Sequence, residues 1–269
     1  MIALISSRCK AFISVYYAYM LEYRAEIILW MIAGAFPFVM MEIWAQHAGQ
    51  ALVSGIDRVG FYQYFFAVFL VRQLTVVWVV FEMQGDVLLG RLSSFLMHPI
   101  DPAWRHVAKH VAERLTRVPF LVGGSLLFFV IYPEALRQWR GGVGDLLLAG
   151  MAITLVFMLR FVMQHSTGIL AFWTERASAI ESFAFLPYVF LSGMLAPLDL
   201  FGQGVRTFAY WTPYPYMIDF PAKLITGYRF PQGMIAWHFM ILCAWFLGML
   251  IFNRVLWRLG LKKYSGMGA

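Results

Sequence analysis

The stretch that runs from residue 146 to residue 173 reads LLLAGMAITLVFMLRFVMQHSTGILAFW, and it decides the fold class. Arg160 is its only residue with a formal charge at neutral pH. A hydrocarbon core about 30 Å thick is crossed by about 20 apolar residues of α-helix. The stretch therefore predicts a transmembrane helix that is long enough to extend beyond the bilayer.

The composition extends this prediction to the whole chain. Its 269 residues are 61% hydrophobic and only 13% charged, and the mean hydropathy is +0.70. Soluble domains contain roughly 45–50% apolar and about 25% charged residues. One soluble core cannot hide this apolar excess, so lipid must be the solvent for much of the surface. We predict an all-α polytopic membrane protein with a single transmembrane domain over residues 1–269.

Six segments have the length and apolarity of transmembrane helices. They cover residues 25–44, 61–81, 118–132, 146–173, 180–198 and 234–252. With the N-terminus inside, the inner segments hold roughly twice as many Lys and Arg residues as the outer loops, and this bias predicts that both termini are cytoplasmic. The net charge of +7 lies mostly at the span ends, which suits anionic lipid headgroups better than a nucleic acid.

Two further segments have helical patterns outside these spans. Residues Lys10 to Arg24 have aromatic residues at helical spacing, which predicts an amphipathic N-terminal helix in the headgroup plane or an extension of the first span. Residues Asp199 to Gly233 combine several prolines with many aromatic residues. This outer stretch is too apolar for a free loop, so we predict short re-entrant helices between spans five and six, shielded by the bundle.

The inner loop before span three also predicts a helix. Asp101 suits the N-cap and Pro102 the first helical position. The apolar residues that follow on one face are Trp104, Val107, Ala108, Val111, Leu115 and Val118, and the charged residues largely away from it are Arg105, Lys109, Glu113 and Arg117. The pattern predicts a helix that runs along the inner membrane surface or rises from it into span three.

The inner run from Glu82 to Pro102 reads EMQGDVLLGRLSSFLMHPIDP and resembles the permeases of ABC-2 type transporters. In that family a glycine-containing turn leads to a leucine, any, any, proline, aliphatic, any, proline pattern. The matching positions in this sequence are Gly85, Leu96, Pro99, Ile100 and Pro102.

A second and more specific resemblance lies around the end of span five. Residues 191–201 read LSGMLAPLDLF, residues 211–214 read WTPY and residues 220–227 read FPAKLITG, in the order that the family keeps. The sequence departs from the family at Gly202, where relatives often have a proline. Together the two matches and the span layout make the resemblance cover nearly the whole chain.

The resemblance implies the membrane-spanning permease subunit of an ATP-binding cassette exporter in a bacterial inner membrane. Two permeases, identical or sister chains, would form the translocation path, and a separate cytosolic ATPase would bind ATP and Mg. The chain has no G-x-x-x-x-G-K-[ST] motif, so we expect it to bind no nucleotide cofactor itself. The implied ATPase-coupling residues are Glu82, Met83, Gln84, Gly85, Asp86, Val87 and Leu88.

Two arginines lie near the middle of predicted spans, Arg72 in span two and Arg160 in span four. A guanidinium at this depth costs about 2.5–3.5 kcal/mol on insertion scales, so it normally faces protein or water. They are candidates for a translocation path that meets an anionic part of a substrate. The structural alternative is that they bond to helix carbonyls or to one of the polar residues Gln63, Gln73, Gln164 and His165.

Other polar residues predict no catalytic or metal site. His106 and His110 are four residues apart, but they lack the glutamate of a zinc-binding helix and a third ligand, so we predict surface histidines near lipid headgroups. No carboxylate is placed to complete a triad with His165 and Ser166. The alternative function is an ion-coupled secondary transporter, which the absence of midplane acidic residues and of paired broken helices disfavours.

Overall fold

The computed structural model describes residues 14–15, 17–18, 22, 24–48 and 55–264. Within these ranges the chain is all-helical and has no β-strand. The α-helices are, in chain order, α1 (Arg24–Ala33), α2 (Phe36–Ala48), α3 (Arg58–Thr75), α4 (Val79–Leu88), α5 (Leu92–Leu96), α6 (Ala103–Ile131), α7 (Pro133–Arg137), α8 (Val143–Ile169), α9 (Ala177–Leu191), α10 (Gln203–Tyr210), α11 (Tyr214–Met217), α12 (Asp219–Ile225) and α13 (Met234–Lys263). Most of the predicted amphipathic helix at Lys10–Arg24 lies outside the described residues.

Five helical segments of the described chain are long and apolar enough to cross a membrane. They are Ile28–Ala48, Arg58–Leu88, Ala103–Ile131, Val143–Phe172 and Met234–Lys263. These segments confirm the prediction of an all-α, multi-pass membrane protein. The third is much longer than predicted, because α6 continues without interruption from the predicted surface helix into the span. Asp101 caps it as expected, since its Oδ1 accepts a hydrogen bond from the Ala103 N–H at 2.9 Å.

The predicted fifth span, residues 180–198, is α-helical only as far as Leu191. Helix α9 covers Ala177–Leu191, and its 15 residues reach only about 22 Å. Gly193 adopts a φ of +91°, which residues with a side chain rarely tolerate. The non-helical backbone that follows, residues 192–197, is enclosed by protein, since Met194 and Ala196 are buried. Irregular backbone is tolerated at membrane depth only where protein or water surrounds it.

Three helices follow this non-helical stretch where the sequence predicted short helices. Helices α11 and α12 are almost wholly buried, whereas α10 is mostly exposed. Helix α12 packs against both α3 and α8. Because α3 carries a nearly continuous run of buried side chains from Phe61 to Val71, it forms the centre of the bundle.

Helix α8 is the second organising element, because it packs against α3, α4, α9, α12 and α13. It approaches α4 most closely at Gly168. A Cβ atom at this position would lie 2.7 Å from the Met83 Cβ and 3.3 Å from the Val80 Cα. Because Gly168 has no side chain, α8 can pack closely against α4 at this point.

Replacing Gly168 by Ala is expected to destabilise the protein by about 1–3 kcal/mol, because the new methyl group forces α4 away from α8. The unfolding midpoint of the purified protein in detergent should fall by several degrees. Gly150→Ala is the matched control on the same helix, since a methyl group there would have no atom of a neighbouring helix within 4 Å. Equal midpoints for the two variants would contradict this account of the α4–α8 contact.

Candidate coupling element and translocation path

The residues implied to couple the chain to an ATPase, Glu82–Leu88, form the last two turns of α4. Met83 and Val87 are buried in an apolar cluster with Leu92 and Phe172. Gln84 caps the start of α9, because its side-chain oxygen accepts a hydrogen bond from the Ser178 N–H at 2.7 Å. Much of this segment is thus engaged within the chain.

The side chains that point outward begin directly after α4. Leu89 is 69% exposed and Met97 is 86% exposed. Between them lies the short helix α5, and Phe95 on it stacks under the Arg105 guanidinium, whose central carbon is 3.4 Å from the ring centroid. We call residues Leu89–His98 the inner projection. It is an exposed element held against the inner end of α6.

One carboxylate joins this projection to two helices. Asp86 on α4 is 5% exposed and forms ion pairs with Arg91, at 3.1 Å, and with Arg105 on α6. The His106 Nε2 lies 3.3 Å from the same carboxylate. A rigid connection therefore runs from the base of the inner projection into α6.

Glu82 reinforces the same junction one turn earlier on α4. Its carboxylate lies 2.9 Å from the His106 Nδ1 and 2.6 Å from the Lys109 Nζ. His106 is only 3% exposed, so the prediction of a surface histidine is wrong. The reason is that α6 turns its polar face into the bundle, while Trp104 and Leu115 point outward.

His110 is also buried, and its side chain hydrogen-bonds to two backbone groups. Its Nε2 accepts a hydrogen bond from the Trp78 N–H at 3.0 Å, and its Nδ1 lies 2.8 Å from the His106 carbonyl oxygen. Trp78 belongs to the short interruption between α3 and α4, where the helical bonding pattern is broken. In the described part of the chain no cluster of three metal-type ligands includes these histidines.

Arg72 bonds to a helix carbonyl, which is one of the alternatives that its sequence position leaves open. Its Nη1 donates to the Gly34 carbonyl oxygen at 3.1 Å, at the break between α1 and α2. The neighbouring Gln73 donates to the Met31 carbonyl oxygen at 3.1 Å. The two side chains therefore stabilise the broken first span from α3.

Arg160 has a different environment. Its Nη1 donates to the Tyr188 hydroxyl at 2.6 Å, and it lines a cavity of about 150 Å³ between α8, α9 and α13. On the cavity wall Gln164 donates to the Glu181 carboxylate at 2.9 Å, while the Gln164 side-chain oxygen is buried without a partner. The remaining lining is mainly apolar and includes Phe185. The cavity therefore places a guanidinium and a carboxylate beside apolar walls.

Two arginines in the first half of α6 were not predicted to face the bundle: Arg117 is buried and Arg114 is half-buried. Arg117 is 2% exposed and donates to the Gln73 side-chain oxygen at 2.8 Å and to Glu113. The Arg114 guanidinium carbon lies 3.0 Å from the centroid of the Phe157 ring. Both were counted as residues of an inner loop, because hydropathy alone placed the start of span three at residue 118.

A buried ion cluster was also missed at the other end of the bundle. Lys223 lies 2.9 Å from the Asp219 carboxylate and 2.8 Å from that of Asp199. Burial by itself would lower the pKa of Lys223, but the two carboxylates outweigh it and hold the pKa above its usual range. The Tyr64 hydroxyl on α3 lies 2.9 Å from both Asp219 and the Gly193 carbonyl oxygen. The cluster thus fixes the irregular backbone after α9.

The fold and these internal polar contacts define a multi-pass helical membrane protein with an exposed element at one end of its helices. Residues 55–268, more than three quarters of the chain, match the family described as ABC-2 family transporter protein. The chain therefore belongs to the ABC-2 transporter family, and the resemblance seen in the sequence is confirmed. The comparison with curated proteins found no match.

Asp86→Asn is expected to lower the free energy of unfolding by roughly 2 kcal/mol, because it leaves Arg105 and the buried His106 without the shared carboxylate. Thermal unfolding of the purified protein measures the change. Asp101→Asn is the matched control: its ion pair is with Arg254, which is 45% exposed, and such pairs are worth at most about 1 kcal/mol. A midpoint that falls no further for Asp86→Asn than for the control would refute the role assigned to Asp86.

Proposed function

We propose that this chain is the membrane-spanning permease subunit of an ATP-binding cassette exporter. The observation that carries the proposal is membership of the ABC-2 transporter family over residues 55–268. A second permease, identical or a sister chain, completes the translocation path, and a separate cytosolic ATPase binds ATP and Mg. The alternative of a membrane-embedded enzyme has no support in the arrangement of the described residues, since the buried histidines and carboxylates bond to each other and to the backbone.

In this proposal the chain lies in the bacterial inner membrane with both termini cytoplasmic. Six crossings result if α9 and the enclosed stretch after it act together as the fifth. The burial of Met194 and Ala196 supports this, because irregular backbone can lie at membrane depth when protein surrounds it. Helices α11 and α12 then dip into the outer half of the membrane, which their burial against α3 and α8 supports.

The inner projection, Leu89–His98, is the surface that we assign to the ATPase, together with the accessible parts of Glu82–Leu88. An ATPase that moves this element also moves α6, because Asp86 and Arg105 join the two. The same movement reaches α8 through the contact between Met83 and Gly168. A small displacement at the inner surface can therefore be passed to several spans as a rigid-body motion.

We assign Arg160 rather than Arg72 to the translocation path. Arg160 lines a cavity beside apolar side chains, whereas Arg72 bonds to the backbone of the broken first span. A guanidinium in such a cavity can meet an anionic or strongly polar part of an otherwise apolar substrate.

The double variant Leu89→Asp/Met97→Asp is expected to abolish most recovery of the ATPase when the chain is purified through an affinity tag. The substitutions place charges on exposed apolar side chains of the inner projection. The matched control is Val143→Asp/Trp211→Asp, which changes two similarly exposed apolar residues at the predicted outer ends of the helices. This control should retain the ATPase, and both variants should insert in the membrane at the wild-type level.

Two results would count against the coupling proposal. Retention of the ATPase by the inner double variant would remove the inner projection from the interface. If the wild-type chain retains no ATPase under conditions that preserve a known complex, the secondary transporter becomes the better description.

Arg160→Gln is expected to reduce export of amphiphilic compounds at least about tenfold per molecule in the membrane, and Arg160→Lys should retain part of it. The measurement is efflux from cells that produce the chain and its ATPase. A panel of amphiphilic compounds is first screened with the wild type, and an exported compound is then used for the variants. Arg72→Gln should mainly lower the amount of protein in the membrane, because it removes a bond to the Gly34 carbonyl. Unchanged export per molecule in Arg160→Gln, with reduced protein, would exclude Arg160 from the path.

A further inference from the structure

A cavity of about 770 Å³ opens at the end of the bundle that the charge distribution predicts to be outside. Its volume is in the range of sites for small organic ligands. The start of α3, the turn after α7 and the loops around α12 form its walls. Its charged lining residues are Asp57, Arg140, Asp199, Arg206, Lys223 and Arg229.

Most of these charges are already balanced. Lys223 pairs with Asp199 and Asp219, and Arg206 lies 3.6 Å from Asp199. Asp57 caps α3, since its Oδ1 accepts a hydrogen bond from the Gly60 N–H at 2.8 Å. Two cations of the lining, Arg140 and Arg229, do not take part in these pairs.

Arg140 and Arg229 are exposed to the cavity and to solvent, and neither has an acidic partner among the described residues. All 14 Asp and Glu residues of the chain lie within the described ranges, and none forms an ion pair with either arginine. The neighbouring residues 49–54, outside those ranges, contain no charged side chain. The cavity therefore has two guanidinium groups whose charge nothing in the described chain neutralises.

The backbone brings these two arginines to the same side of the cavity. A Cβ atom on Gly227, which has a φ of +70°, would lie 2.5 Å from the Gly141 nitrogen and 2.6 Å from the Arg140 carbonyl carbon. The loop that carries Arg229 therefore touches the loop that carries Arg140, and glycine is required for this contact. Both arginines thus line the same cavity from adjoining loops, and an anion in the cavity would be attracted by both charges.

A second cavity, of about 480 Å³, shares Arg206 with the first. Its walls include the aromatic side chains of Tyr210, Tyr216 and Trp237, and Trp237 is 52% exposed. Aromatic side chains offer a large apolar surface with polar tips to the organic part of a ligand. The two cavities together match a molecule with an anionic group and an attached organic moiety.

We propose that the outer cavity binds an organic phosphate, with its phosphate group between Arg140 and Arg229 and its organic part towards the aromatic cavity. The planar guanidinium group donates two parallel hydrogen bonds to phosphate oxygens, and two such groups match the charge and the number of acceptors of a phosphate. The ligand is either the headgroup of a phospholipid or a soluble phosphate ester. This inference does not depend on the ATPase or on export.

The test uses the full chain purified in a phosphate-free detergent. Two probes, glycerol 3-phosphate and short-chain dihexanoyl phosphatidic acid, are titrated calorimetrically, with glycerol and dihexanoylglycerol as probes that lack the phosphate. At least one phosphate probe should bind and its neutral counterpart should not. Arg140→Gln/Arg229→Gln should weaken that binding at least about tenfold, because it removes both guanidinium groups.

The matched control is Arg137→Gln/Arg258→Gln, which removes the same charge at exposed arginines outside the cavity. It should change the affinity less than twofold. The single variant Arg229→Gln should also weaken binding, which keeps the test decisive if the double variant does not fold. Binding of glycerol 3-phosphate identifies a soluble ester as the source, and binding of phosphatidic acid alone identifies a lipid headgroup.

The proposal is overturned if neither phosphate probe binds the wild-type chain. It is also overturned if the cavity variant and the control lose affinity equally, because the effect would then be one of net charge. Size-exclusion profiles and unfolding midpoints of all variants show that differences in binding do not arise from unfolding.

Discussion

Hydrocarbon offers no hydrogen-bond partners, and this constraint shapes the interior of the protein more than the packing of apolar side chains does. In a soluble protein a helix such as α6 would turn its apolar face inward. Here Trp104 and Leu115 point outward, while His106 and Arg117 are buried among polar partners on α3 and α4. Apolar side chains can face lipid at no cost. The positions inside the helix bundle are therefore occupied by polar residues that need protein partners.

The same constraint explains what happens where the helices are interrupted. Each of three breaks is contacted by a polar side chain from another helix: Gly34 by Arg72, Trp78 by His110, and Gly193 by Tyr64. These contacts satisfy backbone groups that helical bonding leaves free. Polar residues within spans are therefore not all parts of a transport pathway. Their partners separate the two roles: Arg72 bonds to a backbone carbonyl, whereas Arg160 lines a cavity.

The sequence was sufficient for the class of protein, the family resemblance and the cap at Asp101, because these depend on composition and on local motifs. It was not sufficient for the end of α9 or for the orientation of α6. Hydropathy is averaged over a window of residues and therefore does not detect a single positive φ such as that of Gly193, after the end of α9. It also cannot tell lipid from protein as the neighbour of an apolar face, so the burial of Arg117 was not predicted. The buried pair of Lys223 and Asp219 depends on contacts that appear only when distant segments meet.

Helix α6 has a mechanical consequence. Its 29 residues form a rod about 43 Å long that starts next to residues Leu89–His98 and ends beside the short helix α7. Pro119 lies near its middle, where the ring removes one backbone hydrogen bond and weakens resistance to bending. Pro119 therefore divides the rod into a first arm, whose residue Arg105 is paired with Asp86, and a second arm beyond it, and any bend in α6 concentrates at this residue.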